Sequence, residues 1–569
     1  LSLVIAITLL SSWVLALFAT PLLCFWFVPE ARDSAESESS GMAGVVAGYR
    51  RLLVAALRHR ALFLLGMGIL FIAGLLLFRQ VPNQFFPLSE RSQYMVFLDL
   101  AAGSHVEHTR DQALRLAAWL RDTEENPEVV DHIAYIGYGG PRFVLNFAPS
   151  DPAPHRAFVL VSTADGADVE RQIERTRRYL NAGFPDVRAR VQRLSQGPSE
   201  VGAVDIRLSG PDRETLVALA GRAREVMAAV PGIANLRDDW ENRVRRVIVD
   251  VDQYRARLAK VTSQETAATL ELLFSGLDLS EYREGDLSLP IVARSDKAGR
   301  QSLDQISTAD IYSAARDTTV PLLQIADFDV LWELGEIRRR DMKRTVTISA
   351  SHPRLSADAL VAEILPDLDS LERPGGYSIE VGGEVENSTK ARAALLVSVP
   401  TCGLLIVLLL VFQFNSLRKP LTIMLTIPLS LIGAALGLWL TGAFFGFMPL
   451  LGLLSLAGII INNAIVLIDR IETQTRAGLP EHDAIIEAAV QRLRPILMTT
   501  LTTILGLLPL MFFGGSLWFG MAVVIAFGLG VGTLLTLGVV PVLYASLFRI
   551  AAPRRAETTA CPAALGDPS

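Results

Sequence analysis

The sequence predicts an α-helical polytopic membrane bundle of about seven spans carrying a large α+β insertion built from split βαβ subdomains. Apolar stretches come in two groups, two before residue 79 and five after residue 393. The region between them, residues 79–393, is polar and alternates strand-like with helix-like patterns. Basic residues gather in every second connection between the apolar stretches. Apolar residues make up 51% and charged residues 20% of the 569, and the mean hydropathy of +0.37 averages an oily phase with an ordinary water-soluble one.

A bilayer core of ~30 Å needs about 20 apolar residues in a helix. The stretches 3–28, 62–78, 394–414, 421–440, 447–468, 495–513 and 518–548 are the candidates. The first lacks a basic n-region and exceeds the h-region of a signal peptide, so it reads as a span. The last is long enough to tilt or to continue beyond the membrane surface. Leu1 already lies inside an apolar stretch, so the chain reads as part of something larger.

Charge orients these spans, because short loops rich in Lys and Arg stay cytoplasmic while long domains are exempt. Arg50, Arg51, Arg58 and Arg60 precede the second span, and Arg418 and Lys419 precede the fourth. Arg470, Arg476, Arg492 and Arg494 lie between spans five and six; Arg549, Arg554 and Arg555 follow span seven. The alternate connections, residues 441–446 and 514–517, carry no charge. The large insertion is therefore expected on the non-cytoplasmic side. The expected division is 1–29 first span, 30–60 cytoplasmic linker and amphipathic segment, 61–78 second span, 79–393 soluble region, 394–548 five spans and 549–569 disordered tail.

Within the soluble region, residues 93–100, 157–162 and 187–191 read as strands, with helices at 106–122 and 169–182. The unit is expected to recur as strand 204–209, helix 213–230 and strand 245–250, with a further strand, helix and strand at 345–350, 357–368 and 377–381. Split βαβ units place helices on one face of a small sheet. Residues 261–321 break the rhythm and read as an inserted element.

Cys24, Cys402 and Cys561 make no disulfide framework, and a net charge of −6 gives no sign of nucleic-acid binding. No phosphate-binding Walker loop, zincin His-Glu pair or nucleophile elbow occurs. The chain reads as a non-enzyme without a cofactor, so any transport is expected to draw on an ion gradient. A proton crossing 100 mV yields about 2.3 kcal/mol from the potential alone.

Polar groups at membrane depth are functional candidates by default. Asn462 and Asn463 interrupt the fifth span, Asp469 lies two turns further on, and Thr499, Thr500, Thr502 and Thr503 open the sixth. These residues form either a polar seam that conducts or senses protons, or hydrogen-bonding glue between helices. Neither Asn nor Thr titrates, so a relay needs a carboxylate or amine from elsewhere. In the soluble region Tyr135, Tyr138, Phe143 and Phe147 surround a glycine-punctuated loop at 137–140. Such a loop either lines an adaptable apolar pocket or is an ordinary hairpin with core aromatics. His105 and His108 admit metal binding, but the helix start beside them favours a solvated face.

Five stretches together resemble one family: residues 81–87 (Val-Pro-Asn-Gln-Phe-Phe-Pro), 412–416, 427–429, 462–469 and 492–500. The chain is similar to the C-terminal half of a resistance-nodulation-division (RND) permease of the hydrophobe/amphiphile efflux branch. The resemblance implies a multi-pass protein of the bacterial inner membrane, surrounded by membrane lipids, with ferredoxin-like periplasmic subdomains. It implies a homotrimer completed by the N-terminal half of the same permease, working with a periplasmic adaptor and an outer-membrane channel. The implied activity is proton-driven export of amphiphilic small molecules. Residues 79–393 then resemble a porter-plus-docking region, with docking roughly at 239–327, and the aromatic loop faces the substrate pocket.

Two departures matter. Many family members carry Lys where Asn462 stands, paired with two aspartates of the other half, and Asn cannot change charge. Thr499 matches the family's relay threonine, whereas the heavy-metal branch differs at Asn462-Asn463, which argues against metal ions as cargo. Competing readings are an RND relative moving lipid or another specialised cargo, a non-transporting membrane scaffold, and a degenerate remnant. Paired acidic residues on the fourth span of an upstream half would separate an antiporter from a scaffold.

Overall fold

The computed structural model describes residues 2–27, 40–197, 202–295, 308–352 and 355–550. The expected tail, apart from Arg549 and Ile550, and residues 30–39 of the expected linker lie outside these described residues. The chain divides into two compact units, one formed by Leu1–Pro82 with Val397–Ser569 and the other by Asn83–Leu396. Helix α1 (Ser2–Phe27) opens the first unit, followed by α2 (Ser40–Arg58) and α3 (Arg60–Phe78). The torsions of His59, φ −112° and ψ 50°, break the helix between α2 and α3.

The second unit begins with β1 (Gln93–Asp99), α4 (Val106–Leu120), β2 (Val129–Ile136), β3 (Arg156–Thr163), α5 (Val169–Gly183) and β4 (Arg188–Arg193). The strands form one antiparallel sheet in the order β2-β3-β1-β4. Side chains alternate across a strand, so Tyr94, Val96 and Leu98 face α4 and α5 and are fully buried. Met95 and Phe97 face the opposite side. His105 caps α4, its Nδ1 accepting the Glu107 N–H at 3.3 Å, which gives that histidine a structural role.

Next come β5 (Ala203–Gly210), α6 (Arg213–Ala228), β6 (Ala234–Asp238), β7 (Arg243–Val251), α7 (Gln253–Ala259) and α8 (Ser263–Phe274). Hairpins β8 (Leu277–Glu284)–β9 (Leu287–Ala293) and β10 (Asp310–Ser313)–β11 (Thr318–Pro321) follow, then β12 (Ala326–Leu334), β13 (Arg339–Arg340), β14 (Lys343–Ser351), α9 (Ala357–Asp369) and β15 (Ser378–Gly383). The second sheet runs β13-β14-β5-β15, with β6 also paired to β14. The strand expected at 245–250 is not part of that sheet: β7 pairs with β12 in a separate two-stranded ribbon. Its place is taken by the five-residue β6, whose half-buried Asn-Leu-Arg-Asp run lacks the apolar alternation that announces a strand.

The chain returns to the first unit through α10 (Glu384–Phe414), then α11 (Arg418–Met424), α12 (Ser430–Thr441), α13 (Phe447–Arg476), α14 (Glu481–Phe513) and α15 (Gly515–Leu547). The apolar stretch at 421–440 is not one continuous helix: a 3-10 turn at Ile427–Leu429 separates α11 from α12. Pro428 lies in that turn, and proline supplies no N–H to an α-helical ladder. Helices α10, α13 and α14 run beyond their apolar stretches, because helical hydrogen bonding continues into polar turns. Among the described residues, seven helical stretches are long and apolar enough to cross a membrane.

Helix α15 packs against α12, α13 and α14, and its buried residues include Gly520, Gly528 and Gly532. Without a hydrophobic force between helices in lipid, small residues that permit close approach hold bundles together. A Cβ on Gly433 of α12 would lie 2.5 Å from the Phe527 carbonyl oxygen of α15. Gly433→Leu is therefore expected to cost at least ~1–3 kcal/mol, the range for overpacking. Thermal unfolding in detergent checks this, with Gly506→Leu as control because a Cβ there meets nothing within 4 Å.

Candidate functional site

Two groups of residues qualify, one in each unit. In the membrane unit the structure does not gather the five polar candidates into one cluster. Asn462 and Asp469 are exposed on α13, Asn463 is half-buried, and Thr499 is exposed on α14. Neither asparagine side chain makes a hydrogen bond among the described residues. The Thr499 hydroxyl donates to the Ile496 carbonyl at 3.0 Å, and the Asp469 carbonyl accepts the Thr473 hydroxyl at 3.0 Å. Thr500 alone is buried, its Oγ1 3.1 Å from Oγ1 of Thr533 on α15.

Thr533 was not legible from its own surroundings, since a threonine in an apolar helix commonly bonds its own backbone. Thr426, Ser430 and Thr536 do that, donating to carbonyls three residues earlier. The charged partners nearest this chemistry in sequence lie at the end of α13. Glu472 accepts from Lys419 at 2.8 Å and from Arg476 at 2.7 Å, and the Lys419 side chain is only 10% exposed. Lys419, whose local sequence marks it only as a basic loop residue, thus joins α11 to α13.

In the soluble unit the aromatic candidates do come together. Strand register places Tyr135, Phe158, Phe97 and Arg190 opposite one another in a single row across β2, β3, β1 and β4. The loop after β2 folds back over this row. Phe147 lies 5.1 Å from Phe158 and 6.3 Å from Phe97, and Phe143 lies 5.1 Å from Phe147. Tyr138 meets Tyr135 edge-on at 6.2 Å and stays 41% exposed. The Arg190 guanidinium sits 4.0 Å from the Phe97 centroid, a cation–π contact.

Close approach explains the glycines. Gly140 has φ +81°, and a Cβ there would lie 2.5 Å from Phe158 Cδ1. Phe97, Phe158 and Arg190 were missed because they sit in strands whose pairing is set only by the fold. The signal was available in parity: Phe97 alternates with the helix-facing Val96 and Leu98. Phe97, Phe147 and Phe158 are only 7%, 8% and 1% exposed, so these rings pack as a core beneath the loop, and the aromatic surface left open is Tyr138 with the half-buried Tyr135 and Phe143. Among the described residues no three His, Cys, Asp or Glu side chains gather as a metal site.

A family model described as the AcrB/AcrD/AcrF family matches residues 1–548. The chain is 28% identical over 350 residues to the nickel and cobalt resistance protein CnrA of Cupriavidus metallidurans, covering 60% of this chain and 32% of that protein. It is 28% identical over 349 residues to the cobalt-zinc-cadmium resistance protein CzcA of the same organism, covering 60% and 33%. It is 30% identical over 301 residues to the swarming motility protein SwrC of Bacillus subtilis, covering 52% and 28%. The matched stretches thus span about a third of these relatives. A crystal structure of a heavy metal efflux pump superposes with a TM-score of 0.71 at 22% identity, covering 90% of this chain and 53% of that one. At that identity the likeness shows the fold alone. The expected amphiphile branch finds no support among these names, three of which concern heavy metals.

Proposed function

The chain belongs to the AcrB/AcrD/AcrF family of RND permeases, and from that premise we propose that it is the porter-bearing part of an inner-membrane pump that exports amphiphilic small molecules. The observation carrying this reading is the aromatic loop edge, where exposed Tyr138 and half-buried Tyr135 and Phe143 stand over a buried core of Phe158, Phe97 and Phe147. Stacked rings bind apolar cargo without demanding one shape. The soluble unit would lie in the periplasm, its two sheets acting as split βαβ porter modules and the β7–β12 ribbon with its hairpins as the docking region. A homotrimer, the N-terminal half, an adaptor and an outer-membrane channel complete the proposed machine.

Energy would come from protons. Asn462 carries no charge to exchange, so the proposed relay rests on carboxylates of the other half, oriented by Asn463 and Thr499, with Asp469 at the helix end. The exposed placement of Asn462 and Thr499 supports this, since an exposed polar face inside a membrane span needs a covering partner. Thr500, already bonded to Thr533, is assigned to helix packing in this scheme.

A second reading, export of divalent metal cations, is favoured by the names of CnrA and CzcA. One experiment separates the two. The full-length permease, with its adaptor and channel, is expressed in a pump-deficient host, and dye efflux is measured beside cobalt and zinc accumulation. Dye efflux that fails on adding a protonophore, with unchanged metal content, supports the amphiphile reading; lowered metal content without dye efflux replaces it. Thr499→Ala is expected to slow dye efflux at least about tenfold, the effect of losing one ~1.4 kcal/mol interaction. Unimpaired efflux removes Thr499 from the relay.

A further inference from the structure

We propose that α2 (Ser40–Arg58) is a binding surface for anionic phospholipid headgroups, recognised through Arg51 and Arg58. At 3.6 residues per turn each position advances about 100°, so residues seven apart share a stripe. Three stripes result. Tyr49, Leu53, Ala56 and Leu57 pack into the bundle, with Leu53 and Leu57 at most 1% exposed. Val45 and Leu52 form a second stripe and remain 53% and 60% exposed. Arg51 and Arg58 form the third, also exposed.

The arginines of this helix are not equivalent. Arg50 is ion-paired to Glu487 of α14 at 3.4 Å. Arg51 and Arg58 have no carboxylate within ion-pair distance among the described residues. The helix is held where a headgroup would be. One residue, His59, separates it from the membrane-crossing candidate α3, and the Tyr49 hydroxyl donates to the Leu537 carbonyl of α15 at 3.0 Å. Arg60 secures the junction, donating to the carbonyls of Leu57 at 2.9 Å and Ala545 at 3.0 Å.

An exposed apolar stripe beside an unpaired cationic stripe, on a helix fixed next to a span, fits the boundary between acyl chains and phosphates. The apolar stripe alone accounts for adsorption to any lipid. Two arginines without carboxylates call for anionic charge, and basic residues beside a membrane surface are drawn to acidic headgroups. The occupant is therefore an acidic phospholipid of the surrounding leaflet. This inference stands apart from any cargo.

The test uses the whole chain in detergent micelles, titrated with phosphatidylglycerol or phosphatidylcholine of matched acyl chains, with bound lipids counted by native mass spectrometry. The parent is expected to retain phosphatidylglycerol preferentially. The Arg51→Ala/Arg58→Ala double variant is expected to lose about tenfold or more of that preference, and Arg51→Lys/Arg58→Lys to keep most of it. Arg50→Ala, which removes an already paired cation, is expected to leave it unchanged. An unaltered preference in the double alanine variant overturns the proposal, as does equal loss in the double lysine variant. Equal retention of the two lipids by the parent overturns it as well.

Discussion

Phe158→Ala is expected to destabilise the soluble unit by about 3–5 kcal/mol, the cost of deleting a buried aromatic side chain. The ring is 1% exposed and lies at the centre of the aromatic row. It is flanked by Phe147 at 5.1 Å, Phe97 at 5.2 Å, Tyr135 at 6.1 Å and Phe143 at 6.2 Å. Each aromatic pair adds roughly 0.5–1.5 kcal/mol beyond its burial, and neighbours in one cluster do not add simply. Functionally the loss reaches further than stability. Phe143 and Phe147 belong to a loop, and the face that holds that loop against the sheet is Phe158 and Phe97. Removing the ring should free the loop and abolish the proposed cargo surface together. Thermal unfolding of the solubilised chain and binding of a polarity-sensitive dye report the two consequences. Phe158→Leu, which keeps more of the volume, is expected to retain more stability than dye affinity. A loss under about 1 kcal/mol for Phe158→Ala would show that the loop rests elsewhere.

What the sequence made legible follows from range. The spans announced themselves because each is a contiguous apolar run, and the first sheet did so because Tyr94, Val96 and Leu98 alternate with residues of the other face. Four aromatics of the cluster share one stretch, residues 135–147, and were visible together. Their supports were not. Phe97 and Phe158 meet only because β1 pairs with β3, and nothing local in either strand encodes its partner. Thr533 lies 33 residues from Thr500 and reaches it only through the packing of two helices. The strand at β6 was hidden for a different reason: a short, half-buried edge need not alternate. The break between α11 and α12 was announced by Pro428 and passed over, because hydropathy averages across a proline without registering its missing N–H.

The same logic of range governs a contact that no pattern foreshadowed. Arg156, the first residue of β3, reaches Glu241 beyond β6 and Glu336 beyond β12, binding Glu336 at 2.9 Å. Glu241 also accepts from the His155 ring, Nε2 to Oε1 at 3.0 Å. The cluster pins the first sheet to the segments around the second. The Arg156 side chain is 13% exposed and that of Glu241 10%. Burial pushes the Glu241 carboxyl up, but hydrogen bonds from His155 and Arg156 outweigh it and hold the group below the usual carboxylate range. A carboxylate depressed in this way contributes stability that is complete above its unfolded pKa of about 4.3. That contribution is lost as pH falls through the lower folded value. Arg156→Ala strands Glu241 in a buried site, and breaking a buried pair costs about 3–5 kcal/mol. Two features make this checkable by melting curves. The penalty should be largest near neutral pH and shrink on acidification, because a protonated Glu241 needs no counter-charge. In a Glu241→Gln background the same Arg156→Ala change should cost much less, since the stranded charge is already gone. Equal penalties in the two backgrounds would assign the effect to lost packing of the arginine stem and leave the ion pair without a role in joining the sheets.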